Sequence, residues 1–361
     1  MRTSTVFRRG KRDSVRQDRR SDSRSKHTMH DVAQLADVAV STVSALINGA
    51  PRVSQARADR IRRAMKELDY HPDQIARSLK VGRTFTIGVV IPDITNAFYP
   101  SVFRGIEDAA RSAGYGVLLC NSNESAEQEQ MQLNMLFSRR VDGVILACSS
   151  GSNAESENSQ RRVPLVFVDR ISEQALGGAV CTDNAEAARV ATRHLIELGH
   201  RRIALLAGDL TLSPHAERLE GFRLAMRKAS LHIRDEYLCP GGAQVADSRC
   251  SAGRLLEAKA PPTAIIASNS KLLLGLLHAT RERGITVPRD LSILTFDEAE
   301  WSECLDPPIT AMVQPVYDMG RRAFEILKDR IVSGVSGETD RVMRLHAELH
   351  VRGSTQKPRR P

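Results

Sequence analysis

Residues 28–48 limit the fold more tightly than any other stretch of this chain. They run Thr28-Met29-His30-Asp31-Val32-Ala33-Gln34-Leu35-Ala36, then Asp37-Val38-Ala39, then Val40-Ser41-Thr42-Val43-Ser44-Ala45-Leu46-Ile47-Asn48. Thr28 with Asp31 three residues on is a capping pair that starts a first helix. Val32, Leu35 and Ala36 recur at i, i+3 and i+4 and form one apolar face; Val43, Leu46 and Ile47 repeat that spacing on a second helix. Ser54 caps a third helix, with Ile61, Ala64, Met65 and Leu68 inward and Arg57, Arg60, Arg62 and Arg63 mostly outward. Three short helices around one small core, the first two joined by a three-residue turn, make a helix-turn-helix module. The second helix of such a module is the element that enters a DNA major groove.

The charge distribution points the same way. Residues 1–80 hold 18 Lys and Arg against 9 Asp and Glu, whereas residues 81–361 hold 34 of each. The whole excess of +9 therefore lies on the segment expected to touch DNA, where cations displace condensed counterions. Residues 1–27 are rich in Arg, Ser and Asp and nearly lack apolar side chains, a composition that predicts disorder. They are either an arm that adds phosphate contacts or the product of an overextended gene start. They lack the apolar segment of a secretory signal, and no run in the chain reaches the 18 or so apolar residues of a membrane span. The six cysteines (120, 148, 181, 239, 250 and 304) show neither metal-ligand nor redox spacing. They are expected to be buried free thiols in a reducing cytoplasm.

From Thr84 onward strand-like and helix-like runs alternate. Strands are expected at Thr84–Ile91, Gly116–Cys120, Val141–Ala147, Pro164–Asp169, Ile203–Ala207, Thr263–Ser268 and Leu291–Phe296, with helical stretches between most of them, the first at Tyr99–Ala113. Such alternation implies parallel sheets with helices on both faces. About 270 residues exceed one such sheet and fit two lobes.

The run DVAQLADVAVSTVSALIN, followed by YHPDQIARSLK, resembles the lactose/galactose repressor family of bacterial transcription regulators. The similarity extends from about Thr28 to Thr355. It implies a small all-α helix-turn-helix headpiece at 28–72, a hinge segment at 73–83, and an α/β two-lobed core at 84–355 like that of periplasmic sugar-binding proteins. The chain is expected to cross between lobes near Asp183, Gln314 and Thr339. That places residues 84–182 and 314–339 in lobe 1 and residues 183–313 and 340–355 in lobe 2, with a disordered tail at 356–361. In the family the hinge becomes helical on DNA and a Leu wedges into the minor groove. Leu79 holds that position, flanked by Arg77 and Lys80.

The resemblance makes Val40, Ser41, Thr42, Ser44, Ala45 and Asn48 the DNA-facing candidates of the second helix. Where many members have Gly in the turn this chain has Asp37, which tolerates a left-handed backbone. Ala39 replaces the usual Ser cap, at a cost of about 1 kcal/mol. Ala45 replaces a common Arg. Val40, Ser41 and Ala45 are short, so they suit thymine methyl groups and cannot form the bidentate Arg–guanine pair.

Ligands of doubly wound sheets sit at the carboxyl ends of strands. Asp93, Asn96, Phe98 and Tyr99 follow the first strand; Asp169 and Arg170 end PLVFVDR; Asn269 ends AIIASN; Asp297 ends LSILTFD, with Trp301 four residues on; Arg218 lies in ERLEGF. These ten positions match the family's effector contacts. Carboxylates, a guanidinium fork and aromatic faces together suit a polyhydroxylated ligand such as a sugar. Ser270 stands where the family commonly has Asp. Enzymatic signatures are missing: there is no G-x-S-x-G, P-loop or H-E-x-x-H, and Gly114-Tyr115-Gly116 does not extend to a dinucleotide fingerprint. No catalytic residue, metal or cofactor is expected. The expected protein is a cytoplasmic homodimeric repressor that binds a near-palindromic double-stranded operator and a small carbohydrate effector, away from membranes. The alternatives are a solute-binding protein of a sugar transport system, an activator, or a regulator that uses a non-sugar corepressor.

Overall fold

The computed structural model describes residues 27–47, 53–71, 82–154, 163–171, 178–240, 244–334 and 342–359. The chain divides into two compact units, Met1–Val81 and Gly82–Pro361. Residues 1–26 of the extension expected at 1–27, Asn48, and Arg77, Leu79 and Lys80 of the hinge lie outside the described residues.

In the first unit α1 (Met29–Leu35) opens with a full capping box: Asp31 N donates to Thr28 Oγ1 and Thr28 N donates to Asp31 Oδ2. The turn closes through Asp37 at φ 48°, the left-handed conformation its short polar side chain allows. Arg60 donates to the Asp37 carbonyl at 3.1 Å. After the turn come α2 (Val40–Ile47) and α3 (Gln55–Glu67). Val32, Ala33, Ala36, Val43, Ile61 and Ala64 form the buried centre, with Leu46, Ile47, Met65 and Leu68 packed on it. Leu35, expected inward, is exposed and Ala33 takes its place, because the turn after Leu35 directs the face through Val32, Ala33 and Ala36. Ser54 stands at the N-cap of α3, but its side chain makes no capping bond.

The second unit begins with β1 (Thr86–Ile91), α4 (Phe98–Ser112), β2 (Gly116–Asn121), α5 (Ala126–Ser138), β3 (Gly143–Leu146), β4 (Leu165–Val168) and β5 (Ala179–Thr182). At Asp183 the chain crosses to a second lobe. There it forms α6 (Asn184–Glu197), β6 (Ile203–Gly208), α7 (Ser213–Lys228), β7 (Leu238–Pro240), α8 (Val245–Leu256), β8 (Ala264–Ala267), α9 (Ser270–Glu282), β9 (Ser292–Phe296) and β10 (Thr310–Val313). It returns through Gln314 to α10 (Val316–Ser333) and β11 (Val342–Leu345) of lobe 1, and ends with β12 (Glu348–His350) in lobe 2.

Each lobe holds one six-stranded sheet, in the orders β11-β5-β4-β3-β1-β2 and β12-β10-β9-β8-β6-β7. Pairing is parallel except between β10 and β12. Strands β3, β4, β5, β6, β8 and β9 are buried at every residue, as expected of parallel strands covered on both faces. Glycines bring the covering helices into close contact. A Cβ at Gly105 would run into the Tyr317 carbonyl, one at Gly320 into that of Val102, and one at Gly221 into that of Ala185. Thus α4 packs on α10, and α6 on α7, nearly backbone to backbone.

Three further expectations are corrected. The third crossing lies between Leu345 and Glu348 rather than near Thr339, because β11 pairs in parallel with β5, Leu345 opposite Thr182. Residues 342–345 therefore belong to lobe 1. The tail is not free over its described part. Gln356 N donates to Ser292 Oγ at 3.1 Å, its Nε2 donates to the Pro288 carbonyl at 3.2 Å, and its own carbonyl lies 2.9 Å from His200 Nε2. Arg359 pairs with Asp290 at 3.3 Å. Pro358 is unsuited to a helix, but it leaves the backbone of Gln356 able to dock. The cysteines are all free thiols. Cys120, Cys148 and Cys181 are buried, Cys239 is half-buried, and Cys250 and Cys304 are exposed, contrary to the expected burial.

Candidate functional site

The carboxyl ends of the two sheets face each other, and between them lies a cavity of about 560 Å³ with a smaller recess of about 30 Å³ beside it. Nine of the ten expected effector residues line these two spaces: Asp93, Asn96 and Arg170 from lobe 1 and Asn269 from lobe 2 border the cavity, while Phe98, Tyr99, Asp169, Arg218 and Asp297 border the recess. The volume is in the range of small-molecule sites.

Local structure fixes each group. Asp93 opens the turn after β1, and its Oδ1 accepts from Thr95 N at 2.8 Å and Thr95 Oγ1 at 2.7 Å. Asn96 Oδ1 accepts from Phe98 N at 3.2 Å where α4 starts, so Phe98 and Tyr99 stand on its first turn, edge to face at 5.1 Å. Tyr99 OH donates to Asp169 Oδ2 at 3.0 Å. Asp169 and Asp297, each just past a strand, have φ of 65° and 64°. Two non-glycine residues held in this sparsely populated region at one cleft mark backbone strain placed at the site.

Arg218 is the buried cation at the centre, 2 % exposed. Its Nε donates to Asn184 Oδ1 at 2.8 Å, its Nη1 to the Ser268 carbonyl, and its guanidinium lies 4.2 Å from the Phe296 ring centre. Asp297 accepts from Gln314 Nε2, and Gln314 Oε1 accepts from Thr182 Oγ1 at 2.5 Å. Burial pushes the Asp297 carboxyl up to about 6; Arg218 opposes that shift and Asp169 adds to it. Burial likewise raises Asp169, against the attraction of Arg170 and Arg218. Burial lowers Arg218. Arg170 forks onto Glu124 at 2.6 and 2.8 Å and also donates to the Cys148 carbonyl at 3.2 Å.

The lobes also touch directly. Lys271 Nζ pairs with Asp93, Ser150 and Thr211 share a hydroxyl bond at 2.7 Å, Ile171 N donates to Ser213 Oγ at 2.9 Å, and Arg344 forks onto Glu217 at 2.8 and 2.9 Å. Burial works against the charge of Asp93, but Lys271 and Thr95 hold its carboxyl below the usual range.

Trp301 is the exception among the expected contacts. It lies on a 3-10 turn at Glu300–Glu303, is 39 % exposed, and borders a separate cavity with Leu274, His278, Leu305 and Ile309. Four residues after Asp297 would bring it back only on an α-helix, and Ala299 is extended, at φ −90° and ψ 135°. Conversely, Glu124, Ser150, Asp209, His215, Lys271 and Gln314 line the cleft without having been expected there. The strand-end rule applied evenly finds Asp209 after β6 and Gln314 after β10. His215 and Lys271 lie within helices, and spacing alone does not mark them.

In the first unit, Ser41 of α2 is exposed, whereas Val40, Thr42, Ser44 and Ala45 are half-buried and Val40 packs on the module's core. Among these side chains Ser41 is thus the most open to a groove.

Residues 28–73 match the model of bacterial regulatory proteins of the lacI family, and residues 192–355 match a periplasmic binding protein-like domain. The chain is 34% identical to the HTH-type transcriptional repressor PurR of Vibrio atlanticus over 332 residues, which is 91% of this chain and 98% of that protein. The chain belongs to the lacI family. Members of this family are DNA-binding transcription regulators, and the helix-turn-helix and two-lobed core described above are the lacI family architecture. A structure of the lac repressor dimer bound to operator and the anti-inducer ONPF superposes with a TM-score of 0.79 at 26% identity, covering 91% of this chain and 99% of that one. A lacI family regulator from Enterococcus faecium with bound ribose superposes at 0.67, with 30% identity over 75% of this chain and 99% of that one. No helix among the described residues is long and apolar enough to cross a membrane. Among the described residues no cluster of His, Cys, Asp or Glu could hold a metal ion.

Proposed function

We propose that this lacI family protein is a repressor whose operator affinity is set by an uncharged polyhydroxylated effector, a sugar or sugar derivative, bound between the core lobes. The observation that carries this reading is the composition of the cleft. Five carboxylates (Asp93, Glu124, Asp169, Asp209 and Asp297) face three cations (Arg170, Arg218 and Lys271). A carboxylate accepts hydrogen bonds from vicinal hydroxyls, and an excess of carboxylates repels phosphates and acids. The aromatic pair Phe98 and Tyr99 adds a face for C–H groups.

The protein acts as a homodimer on a near-palindromic operator in the cytoplasm, so that two α2 helices meet equivalent half-sites. Val40, Ser41, Thr42, Ser44, Ala45 and Asn48 face the bases or adjacent phosphates, and Arg77, Leu79 and Lys80 of the hinge engage the minor groove. The effector biases the angle between the lobes and, through the hinge, the affinity for DNA. The similarity to a ribose-bound regulator supports a sugar over other polar ligands.

The test is a thermal-shift screen of the full chain against D-ribose, D-galactose and cellobiose, their phosphates, and the nucleobases hypoxanthine and guanine, followed by gel shifts on genomic fragments with each hit. A neutral sugar should raise the melting temperature and change the retained fragment's affinity. Stabilisation by sugar phosphates or nucleobases alone would overturn the assignment of an uncharged polyol.

A further inference from the structure

His215 stands on the first turn of α7, after Pro214, and borders both the cavity and the recess. It is 8 % exposed, and its Nδ1 is sealed from solvent with no hydrogen-bond partner among the described residues. A buried imidazole nitrogen without a partner loses its bonds to water and regains nothing, so such groups are rare in folded proteins and mark something the free protein leaves unfinished. The ring's position is not accidental. It rests on Gly208, which has φ of 77° at the end of β6, and a Cβ at that glycine would collide with the imidazole edge. Gly208 thus opens the space that the ring fills.

We infer that His215 is a specificity-determining residue of the cleft, hydrogen-bonding one hydroxyl of the effector. The inference rests on the polyhydroxylated ligand proposed above. The charged groups around the ring are Arg218, Arg170 and Asp209. Burial first, and then the two guanidinium groups, push the imidazole down to about 3, so at neutral pH it is uncharged. An uncharged imidazole carries one donor and one acceptor nitrogen, a match for a hydroxyl, which is also both. A phosphate or carboxylate offers only acceptors and would meet the neighbouring Asp209. Sites built on buried polar groups reject analogues that lack the matching hydroxyl, because the protein group is then left unpaired.

The experiment uses the full chain, calorimetric titration, and a probe set of D-ribose, D-galactose and D-glucose with their monodeoxy derivatives. His215→Phe keeps a ring on Gly208 without nitrogens, and His215→Gln keeps a donor and an acceptor. The expected result is a loss of about tenfold in affinity for the parent sugar with His215→Phe, and a smaller loss with His215→Gln. The His215→Phe loss should vanish for one monodeoxy sugar, the one lacking the matched hydroxyl, while persisting for the others. Wild-type affinity in His215→Phe, or an equal loss for every deoxy sugar, would overturn the inference and leave the sugar reading standing. A wild-type chain that binds none of the probes overturns both.

Discussion

The substitution Asp297→Asn removes one buried charge, and it leaves a single acceptor oxygen where the carboxylate serves both Gln314 Nε2 and the Ser270 backbone N–H, a cost that is the same at every pH. The side chain keeps its shape and keeps an oxygen for Gln314 Nε2. In the native protein, burial raises this carboxyl from 3.8 to about 6. An upward shift of that size is worth about 3 kcal/mol at about 1.4 kcal/mol per unit. For an acid raised on folding, the folded state holds the proton longer than the unfolded chain. The associated stability is therefore complete below about pH 3.8 and is lost as pH rises through about 6. Roughly half of it, about 1.5 kcal/mol, is lost between about pH 5 and 7.5. The Asp297→Asn variant has no such loss, so it should gain on the wild type by that amount across the interval. Asp169, also raised by burial, repels Asp297, so it feels less repulsion when position 297 is neutral, and its contribution has the same sign. Urea titrations followed by the fluorescence of Trp301, the chain's single tryptophan, measure the difference within the core. A difference that stays flat from about pH 5 to 7.5 would refute the claim that Asp297 is ionised against its burial.

Three further outcomes are expected. Gly221→Ala drives a methyl group into the Ala185 carbonyl and should cost about 1–3 kcal/mol in urea unfolding, whereas unchanged stability would show that α6 and α7 can part freely. Deleting residues 356–361 removes the partners of His200, Ser292 and Pro288 and should lower the melting temperature by several degrees while sedimentation still reports a dimer; a tail-dependent tetramer contradicts this. Leu79→Ala should weaken specific operator binding by a few kcal/mol and leave binding to random DNA nearly constant, and equal losses on both would argue against a wedge.

The residues explain why some of this is legible in the chain and some is not. Asp93, Asp169, Asn269 and Asp297 can be found because an apolar run followed by a polar residue marks a strand end, and in this architecture strand ends meet at the cleft. Trp301 is misplaced by the same logic, which assumes that a following residue stays near, and the extended Ala299 turns it away. Strands β11 and β12 leave little signal, since their sequences VMRL and ELH are mostly exposed at the sheet edges. Leu35 shows the limit of periodicity in a seven-residue helix, where small Ala33 fits the crowded centre better. His215 is invisible for a different reason: its meaning comes from Gly208, seven residues earlier, and from an Nδ1 without a partner among the described residues.

The three crossings between the lobes are bound to one another. Asp183 N donates to the Leu345 carbonyl at 2.8 Å, joining the first to the third, and Gln314 on the second reaches Thr182 beside the first. Three tethers fastened side by side remove nearly every way two bodies can move, and what survives is a swing about the line they define. Ligand occupancy can then leave the cleft only as an angle. Gln314 holds Asp297 with one end of its amide and Thr182 with the other. Asp297, which borders the recess, and the axle of the swing are therefore a single side chain apart.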